Sequence, residues 1–161
     1  TPTRTRQPLG GTPPVFAYFL DDGVYNREGD AFWVRGESSA DILLRAPISI
    51  ETTANVSPRQ SLRIEKLTVF LETGPKANRV RVSSGVDSRT VDMPAGTQHV
   101  FDLFLPRGVP YRPDPRYPTN YVYTVSISSA SGFVPMFETG GPDSRFLGVM
   151  VRLVPHYEGQ P

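Results

Sequence analysis

Residues 21–36, DDGVYNREGDAFWVRG, gather three Asp, one Glu, two Arg, three aromatic rings and three Gly into sixteen positions. A calcium ion needs about six to eight oxygen ligands, and Asp21, Asp22, Asn26, Glu28 and Asp30 carry suitable side chains. Their spacing does not follow the EF-hand loop. The competing reading is a β-turn at DDG and another at EGD, leading into a core strand. The turn reading is preferred.

A second concentration of chemistry is YRPDPRYPTNYVY, where Tyr111, Tyr117, Tyr121 and Tyr123 interleave with Arg112, Asp114, Arg116 and Asn120. Tyrosine offers a flat apolar face with a hydroxyl at its rim, and Arg, Asp and Asn supply directional hydrogen bonds. Polyhydroxylated ligands require that combination. The plainer alternative is a proline-stiffened loop packed on the end of the domain. Trp33, the only tryptophan, is either a core or sheet-edge residue or a platform on which a sugar ring stacks.

The inventory for catalysis is thin. His99 and His156 are the only histidines, with His99 in a predicted strand and His156 in a predicted tail. No glycine-rich phosphate loop, histidine metal pair or nucleophile elbow is present. The absence of cysteine removes disulfides, thiolate chemistry and Cys-ligated metals. The expectation is a non-enzyme with no cofactor, although a glycosidase-type carboxylate pair would be visible only in space.

Positioning these residues falls to strands. Apolar residues recur with period two, the mark of half-buried extended segments. In NYVYTVSISSAS, Tyr121, Tyr123, Val125 and Ile127 share one face. Phe101, Leu103 and Leu105 do so in HVFDLFLP, and Leu147, Val149, Val151 and Leu153 in RFLGVMVRLV. VFAYFL, AFWVRG, DILLRA, SLRIEKLTVFLETG and NRVRVSSG complete the set. SLRIEKLTVFLETG partly suits helical spacing through Leu62, Ile64, Leu67 and Phe70, but Leu67, Val69 and Leu71 alternate better and β-branched neighbours favour strand.

Turn-forming clusters every 8–12 residues fit an all-β antiparallel sandwich, immunoglobulin-like or jelly-roll-like, of eight or nine strands in two sheets. Residues 1–14 read as a Pro-rich linker or arm, 15–154 as the domain and 155–161 as a tail in which Tyr157 could dock. Residues 106–120 hold five prolines in fifteen positions, which predicts a long exposed loop without strand pairing.

At 161 residues and 17.8 kDa the chain has the size of one domain. Net charge is +1 with the charges scattered, so a nucleic-acid partner is not expected. No apolar run reaches the roughly 18 residues of a membrane helix, and the first residues lack a signal-peptide pattern, so no direct membrane insertion is expected.

Three stretches, DDGVYNREGDAFWVRG, KANRVRVSSG and SASGFVPMFETGGPDSRFLGVMV, together resemble the C-terminal β-sandwich domain of uncharacterised bacterial membrane proteins of glycosyltransferase type. Segments similar to FWVRG, an Asn-containing strand, SGFVP and D-x-RFLGV recur there in this order, over roughly residues 18–154. The insert PRGVPYRPDPRYP is longer than that pattern, and SPRQSLRIEKL is extended. The resemblance implies a periplasmic or extracellular accessory module of a larger or membrane-anchored protein that handles glycans or lipid-linked sugars. Beside its motifs lie Arg35, Asp143 and Arg145, which are expected to form a structural network between the first and last strands.

Two functions follow as expectations. One is a carbohydrate-binding-like module using Trp33, Tyr111, Arg112, Asp114, Arg116, Tyr117, Asn120 and Tyr121, with a glycan as partner. The other is an interaction domain that self-associates or docks on its parent membrane protein through a sheet edge or the N-terminal arm.

Overall fold

A computed structural model describes residues 6–8, 15–46, 62–112, 114–116 and 118–158, with the side chains of 6–8 and 26–28 left aside. Twelve strands form two antiparallel sheets. The first sheet contains β1 (Arg6–Pro8), β2 (Phe16–Phe19), β5 (Ser38–Arg45), β11 (Asn120–Ser129), β7 (Asn78–Ser83) and β8 (Ser88–Met93) in that order. A further strand, β10 (Val109–Tyr111), pairs with β11. The second sheet runs β3 (Val24–Glu28), β4 (Ala31–Arg35), β12 (Leu147–Tyr157), β6 (Ile64–Thr73) and β9 (Gln98–Phe104). One short helix, α1 (Pro135–Thr139), lies between β11 and β12. Among the described residues no helix is long and apolar enough to cross a membrane.

Alternation decides what fills the space between the sheets. Ala40, Ile42 and Leu44 on β5, Val80 and Val82 on β7, and Val125 and Ile127 on β11 are fully buried. They face Phe32 and Val34 on β4, Leu67 and Val69 on β6, Leu103 on β9, and Val149, Val151 and Leu153 on β12, all equally buried. Each of these side chains larger than alanine contributes on the order of 1.5–3 kcal/mol through removal from water. The residues between them point outward, as Arg79 and Arg81 do from β7.

The helix-like spacing in SLRIEKLTVF has a specific cause. Tyr157 pairs with Ile64 and His156 with Lys66, so β6 carries an extra residue against β12. This bulge converts one two-residue step into three, and Ile64 and Leu67 both reach the core.

All eight strands named from alternation form, and four others join them. β8 is almost wholly exposed apart from Met93, so it carries no apolar alternation to read; it is held by the hairpin to β7. β1 places residues 6–8 of the arm on the edge of β2, and β10 pairs within the proline segment. The prediction of an unpaired loop from 106 to 120 therefore fails at Val109–Tyr111. Pro110 is tolerated because β10 is a three-residue edge strand. At the other terminus β12 continues through His156 to Tyr157, which is 1% exposed, so the domain extends past the predicted boundary at 154.

The two sheets are joined at one end by Asn78. Its Nδ2 donates to Ser129 Oγ at 2.7 Å on β11 and to the Gly148 carbonyl at 3.2 Å on β12. Its Oδ1 accepts the backbone N–H groups of Ala130 and Ser131, each at 3.0 Å. The amide is 6% exposed and makes its full complement of four hydrogen bonds. Gly148 permits the approach, since a Cβ there would run into Ser129 Oγ and lie 2.9 Å from the Arg35 carbonyl. Asn78→Ala would remove the bonds to Ser129 Oγ, the Gly148 carbonyl and the Ser131 N–H, while the Ala130 N–H keeps its bond to the Arg79 carbonyl at 3.0 Å. The expected loss is about 2–4 kcal/mol of unfolding free energy in urea, with an unchanged denaturant slope. A loss below about 1 kcal/mol would remove Asn78 from this role.

Candidate functional site

An open groove of about 810 Å³ lies on the outward face of the first sheet. Its floor is Leu43 of β5 with Val122 and Thr124 of β11. Thr124 stands opposite Leu43, and Tyr18 of β2 flanks Leu43 from the other side, so one row across three strands sets the floor. Pro106, Arg107 and β10 form the facing wall. Gly108 has φ +85°, and a Cβ on it would meet the Tyr123 ring at 2.9 Å. The Tyr123 hydroxyl accepts the Ile64 N–H at 2.9 Å, which fixes the ring on which this wall rests. Burial raises the pKa of that phenol, so it stays protonated as a neutral buttress.

Polar groups at the groove are few and oriented. Arg45 Nη1 donates to Asn120 Oδ1 at 3.0 Å and its Nε to the Tyr18 hydroxyl at 3.4 Å. Its guanidinium also lies 4.9 Å from the centroid of the Phe16 ring. Tyr18, having accepted this bond, retains its own hydroxyl proton to donate. At the rim Tyr111 is 56% exposed and Val109 67%.

The sequence candidates divide among several places. Tyr111 is at the groove, and Asn120 orients Arg45 there. Tyr121 lies on the opposite face of β11, where its hydroxyl accepts from Arg63 at 3.0 Å and its ring lies 4.2 Å under that guanidinium. Asp114 and Arg116 are occupied with one another in the loop at 2.8 Å, and Arg112 donates to the Pro115 carbonyl. Tyr117 lies outside the described residues. Trp33 belongs to the second sheet, edge-to-face with Phe133 at 5.8 Å. Tyr111 and Asn120 are thus brought together, and Trp33 is not with them.

Of the groove residues that the sequence reading did not single out, Leu43 alone carried a signal. Ile42, Leu43 and Leu44 form an unbroken apolar run, so one of them must leave the core face, and that residue is Leu43. Tyr18, Arg45, Arg107 and Val122 carried no comparable signal.

The oxygens of residues 21–30 do not converge where described. Asp21 accepts the N–H groups of Gly23 at 2.9 Å and Asp41 at 3.2 Å, as a turn cap. Asp22 faces Arg35 at 3.8 Å and Asp30 faces Arg152 at 3.8 Å, while the Asn26 and Glu28 side chains lie outside the described set. Among the described residues no three acidic or histidine side chains gather as for a metal.

Asp143 and Arg145 meet directly, and Arg35 joins them through the Tyr25 ring. Arg145 clasps Asp143 with Nη2 at 2.7 Å, and the guanidiniums of Arg35 and Arg145 lie 4.9 and 5.5 Å from the Tyr25 ring centroid. The Tyr25 hydroxyl in turn accepts the Phe146 N–H at 3.0 Å. Elsewhere His99 is exposed on β9. His156, on β12 and not in a tail, has Nε2 2.6 Å from Thr68 Oγ1, which also bonds Asp102 at 2.9 Å.

No family model matches the chain, and no curated protein sequence matches it. Among solved structures it is similar to a family two carbohydrate esterase from Cellvibrio japonicus, with TM-score 0.34 and 11% identity over 91% of this chain and 36% of the esterase. The chain thus spans little more than a third of that protein, and a likeness so remote bears on no point of function.

Side-chain and then backbone hydrogen bonds from Arg145 hold the Asp143 carboxyl below the ordinary carboxylate range. A group depressed on folding stabilises the native state above its unfolded pKa, near 3.9, and the contribution disappears as pH falls through the folded value. Asp143→Asn should therefore be less stable than the native chain at pH 7, with the difference vanishing in acid. Melting curves from pH 2 to 7 measure it, and a gap that persists at pH 2 would contradict the assignment.

Proposed function

We propose that this chain is a non-catalytic, carbohydrate-binding-like accessory module, and that the groove on the first sheet is its ligand site. The observation that carries the reading is the Arg45–Asn120 pair at 3.0 Å beside the rings of Tyr18 and Tyr111 in one groove. Sugar rings present C–H faces that stack on aromatics and hydroxyls that need oriented donors and acceptors. The periplasmic or extracellular setting, on a larger or membrane-anchored protein that handles glycans or lipid-linked sugars, is supported by the motif resemblance alone. Titrating ¹⁵N-labelled protein with neutral and charged oligosaccharides should shift the amides of 107–111 and 120–124. Tyr111→Ala should weaken binding about tenfold, the loss of one ring contact at a ligand site. Unmoved groove resonances across the panel would reject the reading.

A second reading, docking on a parent chain or self-association through a sheet edge, has its own observation. Among the described residues β9 pairs on one side only, with β6, and it carries Val100 and Phe104, each 52% exposed. An extended segment could complete such an edge. If so, light scattering at rising concentration should give a mass above 17.8 kDa that Phe104→Glu restores to the monomer. A monomer at every concentration removes self-association and leaves docking on a parent chain to be tested separately.

A further inference from the structure

The groove has a lining unusual for a free saccharide. Its floor and wall are mostly hydrocarbon, from Leu43, Val122, Pro106 and Val109, with the Thr124 hydroxyl the polar group on the floor. Among the described residues the charged side chains that line it, Arg45 and Arg107, are both cationic. Arg107 is exposed, and its side chain has no ion-pair or hydrogen-bond partner among the described residues. A neutral glycan would leave this apolar surface and this guanidinium unused. A purely aliphatic ligand would leave the Arg107 guanidinium facing hydrocarbon, which is unfavourable.

From this complementarity we infer that the groove binds a single hydrocarbon chain ending in a phosphate. The chain lies along Leu43, Val122 and Val109, and the phosphate lies at Arg107 and Arg45. Apolar burial along the floor supplies the affinity. The two guanidiniums come from different elements, β5 and the segment before β10, and the several oxygens of a phosphate can be shared between them. A carboxylate, with two oxygens in one plane, matches a single guanidinium fork better. This inference rests on the groove being a ligand site and narrows its ligand to a lipid phosphate, with any sugar borne beyond the phosphate at Tyr111.

The experiment titrates the full chain with dodecyl phosphate below its micelle-forming concentration, read by amide shifts and calorimetry. Inorganic phosphate, dodecanoate, dodecyl maltoside and maltose serve as comparators. Dodecyl phosphate should shift residues 107–111 and 122–124 and bind more tightly than each comparator. Arg107→Gln should weaken it roughly threefold to fivefold, as for a rim charge, while leaving dodecyl maltoside unchanged. Val109→Glu, at a 67% exposed position that the fold does not need, should weaken it further.

Equal binding of dodecanoate, indifference to Arg107→Gln, or shifts scattered over the whole surface would each overturn the inference. If oligosaccharides move the groove and amphiphiles do not, the inference falls and the glycan reading stands. If amphiphiles move it and sugars do not, the inference stands and the glycan reading falls. Silence from both ends both.

Discussion

The side-chain amide of Asn78 is the contact on which the closed end of this sandwich depends. Two stacked sheets attract one another without direction, because apolar contact fixes their spacing far better than their relative slide. A buried amide with all four hydrogen bonds made is directional, and it is costly to leave half-satisfied. Asn78 reaches from β7 to Ser129 of β11 within its own sheet and to the Gly148 carbonyl in the other. The bulge between Leu147 and Val149, where β12 changes register against β4, surrounds Gly148, so that carbonyl is presented where regular pairing is interrupted.

Around this amide the stretches FWVRG, SGFVP and RFLG converge. A Cβ on Gly36, from FWVRG, would lie 2.6 Å from the Cα of Gly132, from SGFVP, and Phe146 of RFLG touches both glycines. The Gly36 N–H donates to the Phe146 carbonyl, and Phe133 and Leu147 exchange a pair of backbone hydrogen bonds. These residues pack against each other and build a corner. Asn120, at the groove, and Ser129, at the corner, occupy opposite ends of β11, roughly 30 Å apart at strand rise. The proline-rich segment borders the groove at the end away from this corner.

Charge plays a local part. Asp114 and Arg116, and again Asp143 and Arg145, form the same unit, in which the carboxylate accepts the backbone N–H two residues on and the guanidinium of that same residue. Both Asp–x–Arg pairs are satisfied within three residues, so neither carboxylate is spare for a distant partner. This explains why the expected link between Arg35 and Asp143 passes through the Tyr25 ring: the nearer guanidinium takes the carboxylate first. The Asp143–Arg145 side chains are each 31% exposed, so water screens the pair and moderates its worth.

Alternation of side chains by itself determined the class of fold, eight of the twelve described strands and, where apolar and polar residues alternate cleanly as on β7, β11 and β12, the buried face, because a residue's direction from a strand depends only on its parity. It also determined that Leu67, Val69 and Leu71 line a strand, although only the pairing of Ile64 with Tyr157 explains the helical mimicry before them. Tertiary structure alone decided the groove. Its floor joins Tyr18, Leu43 and Thr124, residues far apart in the chain that become neighbours through strand order and register. It likewise decided that Tyr111 and Tyr121, both in one tyrosine-rich stretch, point to different faces, and that Trp33 sits on the other sheet. Parity is a local property, whereas the order of strands in a sheet depends on long-range packing that no short stretch encodes.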